Sequence, residues 1–135
     1  MTVFGDSTAF SSFSANDIEA AKRFYVDLLG LELKDEAMGG LELGLPDGGM
    51  IFIYPKPNHE PATFTVLNFA VTDLEAAVDQ LRSNGVETKI YSDEEFPSDE
   101  RGIVRGGPGG EGGPDIAWFR DPAGNVLAVL SDPRG

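Results

Sequence analysis

Apolar and polar positions follow two rhythms along this chain, and the rhythms come in the same order twice. Ile18, Ala21, Tyr25 and Leu28 fall on one face of a 3.6-residue period, as do Leu74, Ala77, Val78 and Leu81. Both stretches predict amphipathic helices. Leu41, Leu43 and Leu45 instead alternate with Glu42 and Gly44, the two-residue period of a half-buried strand. The first half reads as a strand over Ser7 to Ala15, a helix over Asp17 to Leu29, and strands over Leu31 to Lys34, Leu41 to Leu45 and Met50 to Tyr54. The second reads as a strand over Thr63 to Val71, a helix over Asp73 to Ser83, and strands over Val86 to Tyr91, Ile116 to Phe119 and Val126 to Leu130.

The doubling is also written in the residues. Asp17-Ile18-Glu19-Ala20-Ala21 returns as Asp73-Leu74-Glu75-Ala76-Ala77, 56 residues on. An internal repeat of this kind sets the whole fold. Asn16 and Thr72 stand before the two copies as candidate N-caps, with Glu19 and Glu75 three residues later completing a capping-box pattern. Gly30 and Gly85 follow the helices as C′ residues.

Punctuation divides the chain further. Pro46-Asp47-Gly48-Gly49 predicts a hairpin turn. Pro55 to Pro61 holds three prolines and predicts an extended linker. The expected organisation is one domain over 1–135, with module one at about 7–55, a linker at 55–61 and module two at about 62–132. An insertion over 92–113, Ser92 to Gly113, sits in the second module. It carries five acids between Asp93 and Glu100, then Arg101 and Arg105, then a glycine-rich run. A connection this long in a compact domain predicts a functional segment. We expect it to act as a lid, with Gly106 to Gly113 mobile and Arg101 or Arg105 closing against acids.

Composition narrows the function. The formal charge of −13 excludes a nucleic-acid surface, which needs a basic face. It fits either solubility or attraction of a cationic ligand. The chain has no cysteine, so disulfides, thiol catalysis and thiolate metal sites are excluded. No apolar run is long enough to span a bilayer. Met1 to Asp6 does not read as a secretory signal, and a cytoplasmic protein is expected.

The double strand-helix-three-strand order resembles the vicinal oxygen chelate superfamily of glyoxalase I, bleomycin- and fosfomycin-resistance proteins and extradiol dioxygenases. The resemblance rests on Asp17-Ile18-Glu19-Ala20-Ala21-Lys22-Arg23-Phe24-Tyr25, Leu28-Leu29-Gly30-Leu31 and Phe119-Arg120-Asp121-Pro122-Ala123-Gly124-Asn125. It covers almost everything except the insertion. It implies an α+β fold of two βαβββ modules, whose curved mixed sheets face each other around a cavity, and it implies a homodimer. Metal-dependent members place ligands on the first and last strands of each half. By motif those slots fall here on Phe10, Phe52, Val66 and Ala128. None offers a donor to a divalent metal. The only histidine, His59, lies in the proline-rich linker and reads as an exposed loop residue. No metal and no cofactor are expected.

Strand alternation then assigns the cavity face. Phe10, Ser12, Ser14, Phe52, Tyr54, Val66, Asn68 and Ala128 share it, and parity adds Glu42 and Trp118. This apolar surface with a few polar groups has the composition of a small-molecule site, or of a closed core. Glu42 reads as a base or cation binder on an apolar wall, or as a solvent-facing residue. Trp118 reads as a platform for a flat or cationic ligand, or as core. The reading is a metal-free protein that binds a hydrophobic or cationic aromatic small molecule, similar to bleomycin-resistance proteins. The alternative is a glyoxalase-like lyase or isomerase, or an extradiol-dioxygenase-like enzyme, with a non-standard or absent metal site.

Overall fold

The computed structural model describes residues 3–107 and 112–132. Among them it forms two mixed sheets with few helices, an α+β fold. The chain divides between His59 and Glu60 into two compact units. We call these the first and second modules.

In the first module the strands are β1 (Ser11–Ala15), β2 (Glu32–Asp35), β3 (Leu41–Gly44) and β4 (Met50–Pro55), in sheet order β1-β4-β3-β2. β1 runs parallel to β4, and the other pairs are antiparallel. Helix α1 spans Ile18–Lys22 and continues as a π-helical segment over Arg23–Leu28. The wider π turn, with Leu29 N–H donating to Phe24 C=O, brings two consecutive aromatics, Phe24 and Tyr25, into the core. Tyr25 then meets Phe13 of β1, ring centroids 6.0 Å apart. Phe13, Ala15, Leu41, Leu43, Ile51 and Ile53 are buried. They form the face of the sheet that carries the helix.

The second module repeats this plan with one strand fewer. β5 (Thr65–Val71), β6 (Ile116–Arg120) and β7 (Val126–Ser131) are ordered β5-β7-β6, with β5 parallel to β7. Helix α2 (Leu74–Ser83) buries Leu74, Val78 and Leu81. In the register Ala117 pairs with Val129 and Phe119 with Leu127 on one face, and Trp118 pairs with Ala128 on the other.

Three local expectations are corrected. Both N-caps lie one residue later than Asn16 and Thr72. Asp17 accepts from Ala20 N–H and Asp73 from Ala76 N–H, so the carboxylate that opens each repeat takes the cap, where it also meets the positive end of the helix dipole. The first strand starts at Ser11 rather than Ser7. Val86 to Tyr91 forms no strand. The insertion supplies β6 with its edge partner instead, through the Val104–Ile116 bridge of two backbone hydrogen bonds at 2.8 and 3.1 Å. Residues 86–91 turn to the insertion: Thr88 Oγ1 donates to Arg101 C=O at 2.6 Å. Gly102 makes this approach possible. At φ +88°, a Cβ there would lie 2.0 Å from the Thr88 carbonyl oxygen.

Gly30 and Gly85 do end the helices with positive φ, 82° and 84°. The expected turn at Pro46 to Gly49 is present, with Leu45 N–H donating to Gly49 C=O and Asp47 Oδ1 accepting from Gly49 N–H. The glycine run read as mobile, Gly106 to Gly113, falls partly outside the described residues, at 108–111.

Candidate functional site

The first module presents a polar-aromatic face opposite its helix. The β1–β4 register sets Ser12 beside Phe52 and Ser14 beside Tyr54, and the β3–β4 register sets Glu42 beside Phe52. Cross-strand partners project to the same side, so these five side chains share one face. Phe52 and Tyr54 lie roughly parallel, centroids 6.5 Å apart and 22° between planes. Gly40 leaves room for the first ring: a Cβ there would come within 2.9 Å of Phe52 Cζ. Tyr54 is 37% exposed and Phe10, just before β1, is 57% exposed.

His59 is not the exposed loop residue the linker composition suggests. It is half-buried, and its Nδ1 is hydrogen-bonded to Ser14 Oγ, with the direction set by the imidazole tautomer. Lys56 N–H donates to Ala15 C=O beside it. Hydroxyl and imidazole in contact are two parts of a nucleophile–base arrangement. Here Ser14 is only 8% exposed, and the pair fastens the linker to the edge strand. Sequence reading missed it because the partners are 45 residues apart.

In the second module Asn68, Ala128 and Trp118 align across β5, β7 and β6. Asn68 is exposed and Ala128 is buried, while Val66 sits at a register shift between Thr65 and Leu67. Trp118 is 8% exposed. Its indole N–H donates to Thr65 Oγ1 at 3.1 Å, fixing the ring. Phe96 stacks on the indole at 4.9 Å and 29°, and Tyr91 meets it edge-on at 5.3 Å and 83°. Val104, Val126, Ile90 and Ile116 complete the cluster. Tyr91, Phe96 and Thr65 were not among the residues the sequence singled out. The only sign of them was two aromatics bracketing an acidic stretch, Tyr91 to Phe96.

The two arginines of the insertion pin it to the helix. Arg101 pairs with Glu75 at 2.7 Å and Asp79 at 3.1 Å, both on α2, and with Asp99 at 3.7 Å. Hydrogen bonds from Arg101 to Glu75 and Asp79 raise its pKa further. Arg105 pairs with Asp99 and Asp115, each at 3.3 Å. Burial disfavours ionised Asp99, yet the N–H groups of Ile103 and Arg101 and the charges of both arginines outweigh it. They hold its carboxyl below the usual range. The exposed Asp93 is also lowered, by its hydrogen bond from Lys89, 2.9 Å away.

Metal ligation does not fit these residues. Phe10, Phe52, Val66 and Ala128 carry no donor atom in their side chains. Among the described residues no three of His, Asp or Glu converge as a metal site would require.

A sequence model of the Glyoxalase/Bleomycin resistance protein/Dioxygenase superfamily matches residues 9–129. The chain belongs to this superfamily. Solved structures of the superfamily's fold agree. A glyoxalase/dioxygenase from Nostoc punctiforme superposes with TM-score 0.68 at 16% identity, over 98% of this chain and 96% of that one. Lactoylglutathione lyase from Agrobacterium tumefaciens gives 0.63 at 19%, over 94% and 95%. TnmS3, an antibiotic binding protein from Streptomyces sp. CB03234, gives 0.62 at 22%, over 93% and 97%. No curated protein matches the chain significantly. Among the described residues no helix is long and apolar enough to cross a membrane.

Proposed function

We propose that this superfamily member is a metal-free small-molecule-binding protein whose ligand is a hydrophobic or cationic aromatic. The observation that carries the reading is the donor set: all four slots that hold metal in metal-dependent relatives are apolar here. Lewis-acid catalysis therefore has no ligands to rest on. The fold of an antibiotic binding protein supports the same direction. The residues assigned to binding are Ser12, Glu42, Phe52 and Tyr54 on the open face of the first module and, separately, Asn68 and Trp118 in the second. Apolar rings would supply most of the affinity, and the polar groups would fix orientation. The assembly is taken to be a cytoplasmic homodimer.

The test is a thermal-shift screen of aromatic compounds on the purified chain, followed by titration of the wild type, Glu42→Gln and Trp118→Ala. A cationic aromatic should bind the wild type and lose affinity in the variants. Equal binding by all three proteins would overturn the site assignment. Turnover of a small carbonyl compound or a catechol that disappears with chelator would replace the reading with the enzyme one.

A further inference from the structure

We propose that Phe96 is the built-in occupant of an aromatic site on Trp118, and that a flat cationic aromatic binds there by displacing it. The inference rests on the small-molecule reading above and adds where the ring goes and what guards the place.

Three rings make the site. Phe96 lies nearly parallel to Trp118, while Tyr91 stands edge-on to both, 5.1 Å from Phe96 at 75° and 5.3 Å from Trp118 at 83°. One stacked and one perpendicular partner is the arrangement in which a third aromatic ring is held best. Phe96 holds that third place. The space left beside it amounts to about 10 Å³, lined by Thr88, Tyr91, Phe96, Ser98, Val104 and Trp118 among others. That is room for one water, so a ring that stacks on Trp118 needs the place Phe96 holds.

Phe96 is also held more lightly than Val104 and Trp118. Val104 is tied to β6 by two backbone hydrogen bonds, and the Trp118 ring by Thr65. The backbone N–H of Phe96 donates only within its own turn, to Ser92 C=O at 2.9 Å. Glu95 and Ser92 close the same turn through their side chains. Beyond it, Asp99 accepts from Arg101 and Ile103, and Arg101 grips α2. From outside the turn, Lys89 holds Asp93 at 2.9 Å, an exposed ion pair of the kind worth little in water. The turn 92–98 therefore swings out by giving up that pair while its internal bonds stay intact. Asp93, Glu94 and Glu95, all exposed beside Phe96, would favour a ligand with positive charge.

A plug of this kind lowers apparent affinity by the fraction of molecules in which it is out. Trp118 is the only tryptophan of the chain, so its emission reports this site alone. The experiment measures acrylamide quenching and binding of proflavine, a flat cationic dye, by the wild type, Phe96→Ala and Phe96→Leu. Phe96→Ala should uncover Trp118 to acrylamide and bind proflavine about tenfold tighter, equivalent to about 1.4 kcal/mol, with Trp118 emission quenched by the dye. Phe96→Leu keeps an apolar filler, guards against a folding defect, and should fall between. Equal affinity in all three proteins, or binding that leaves Trp118 emission unchanged, overturns the plug and leaves the small-molecule reading standing. If none of the three binds proflavine although Phe96→Ala uncovers Trp118, both fall for this ligand class.

Discussion

The two modules share a plan and treat their second sheet face in opposite ways. Each lays a helix on one face and pairs its first strand parallel to its last. In the first module four strands form, and the other face keeps Tyr54 and Phe52 partly open, beside Glu42 and Ser12. In the second a strand is missing, and the insertion does two jobs in its place. Val104 caps the edge of β6, and Phe96 with Tyr91 covers Trp118. The lesson is that a long connection inside one copy of a repeat can be part of that copy's core. Its acids and arginines are the means of attachment, through Glu75, Asp79 and Asp99.

The comparison breaks most visibly at Gly102. Alanine there should destabilise the chain by about 1–3 kcal/mol from the left-handed backbone alone, and by more through collision with the Thr88 carbonyl. Gly48→Ala in the first module, at φ +100° with open space around it, should lose only the backbone part. Urea unfolding of the two variants compares them, and equal losses would mean that the clasp between residues 88 and 102 holds nothing.

Next in size is the linker fastening. Ser14→Ala should cost about 1 kcal/mol in stability, because the His59 ring loses a partly buried partner. Proton-detected exchange should speed up at Lys56 N–H, which donates to Ala15 C=O, while the second module stays unchanged. Matching losses in both modules would deny that the effect is local.

The helix caps sharpen the repeat itself. Asp17→Ala and Asp73→Ala should each cost about 1 kcal/mol, whereas Asn16→Ala and Thr72→Ala should cost a few tenths at most. A reversal in either module would return the cap to the earlier residue.

The smallest effect is the acid response of the second module. The Asp99 carboxyl sits below its ordinary range in the folded chain, so its ionised form favours the folded state. That contribution is present above the unfolded value of about 3.9 and is lost as pH falls through the lower folded value. Acidification below about pH 3.9 should loosen the insertion and raise acrylamide access to Trp118. Asp99→Asn should show that access already at neutral pH, with a weaker acid response. An unchanged response in the variant would assign it to other acids.

Much of this protein was legible in its residues because the relevant signals are local. The returning Asp-x-Glu-Ala-Ala motif, the 3.6-residue faces, Gly30 and Gly85 after the helices, and the Pro46 to Gly49 turn act within a few residues. Short-range sterics and capping therefore determined the repeat, the helices, the hairpin and the superfamily. Alternation also follows from the pleat, which is why Ser12, Glu42 and Phe52 could be grouped before their register was known. What only the tertiary structure decided are pairings that local rules cannot see. The edge of β6 could be taken by residues 86–91 or by Val104, and the choice went to the segment that Arg101 anchors to α2, 26 residues from Glu75. Trp118 could face a ligand or a neighbour, and an apolar ring far along the chain reached it first. Ser14 met His59 because the linker folds back along β1. In each case competing contacts of similar local quality existed, and burial together with long-range charge selected one of them.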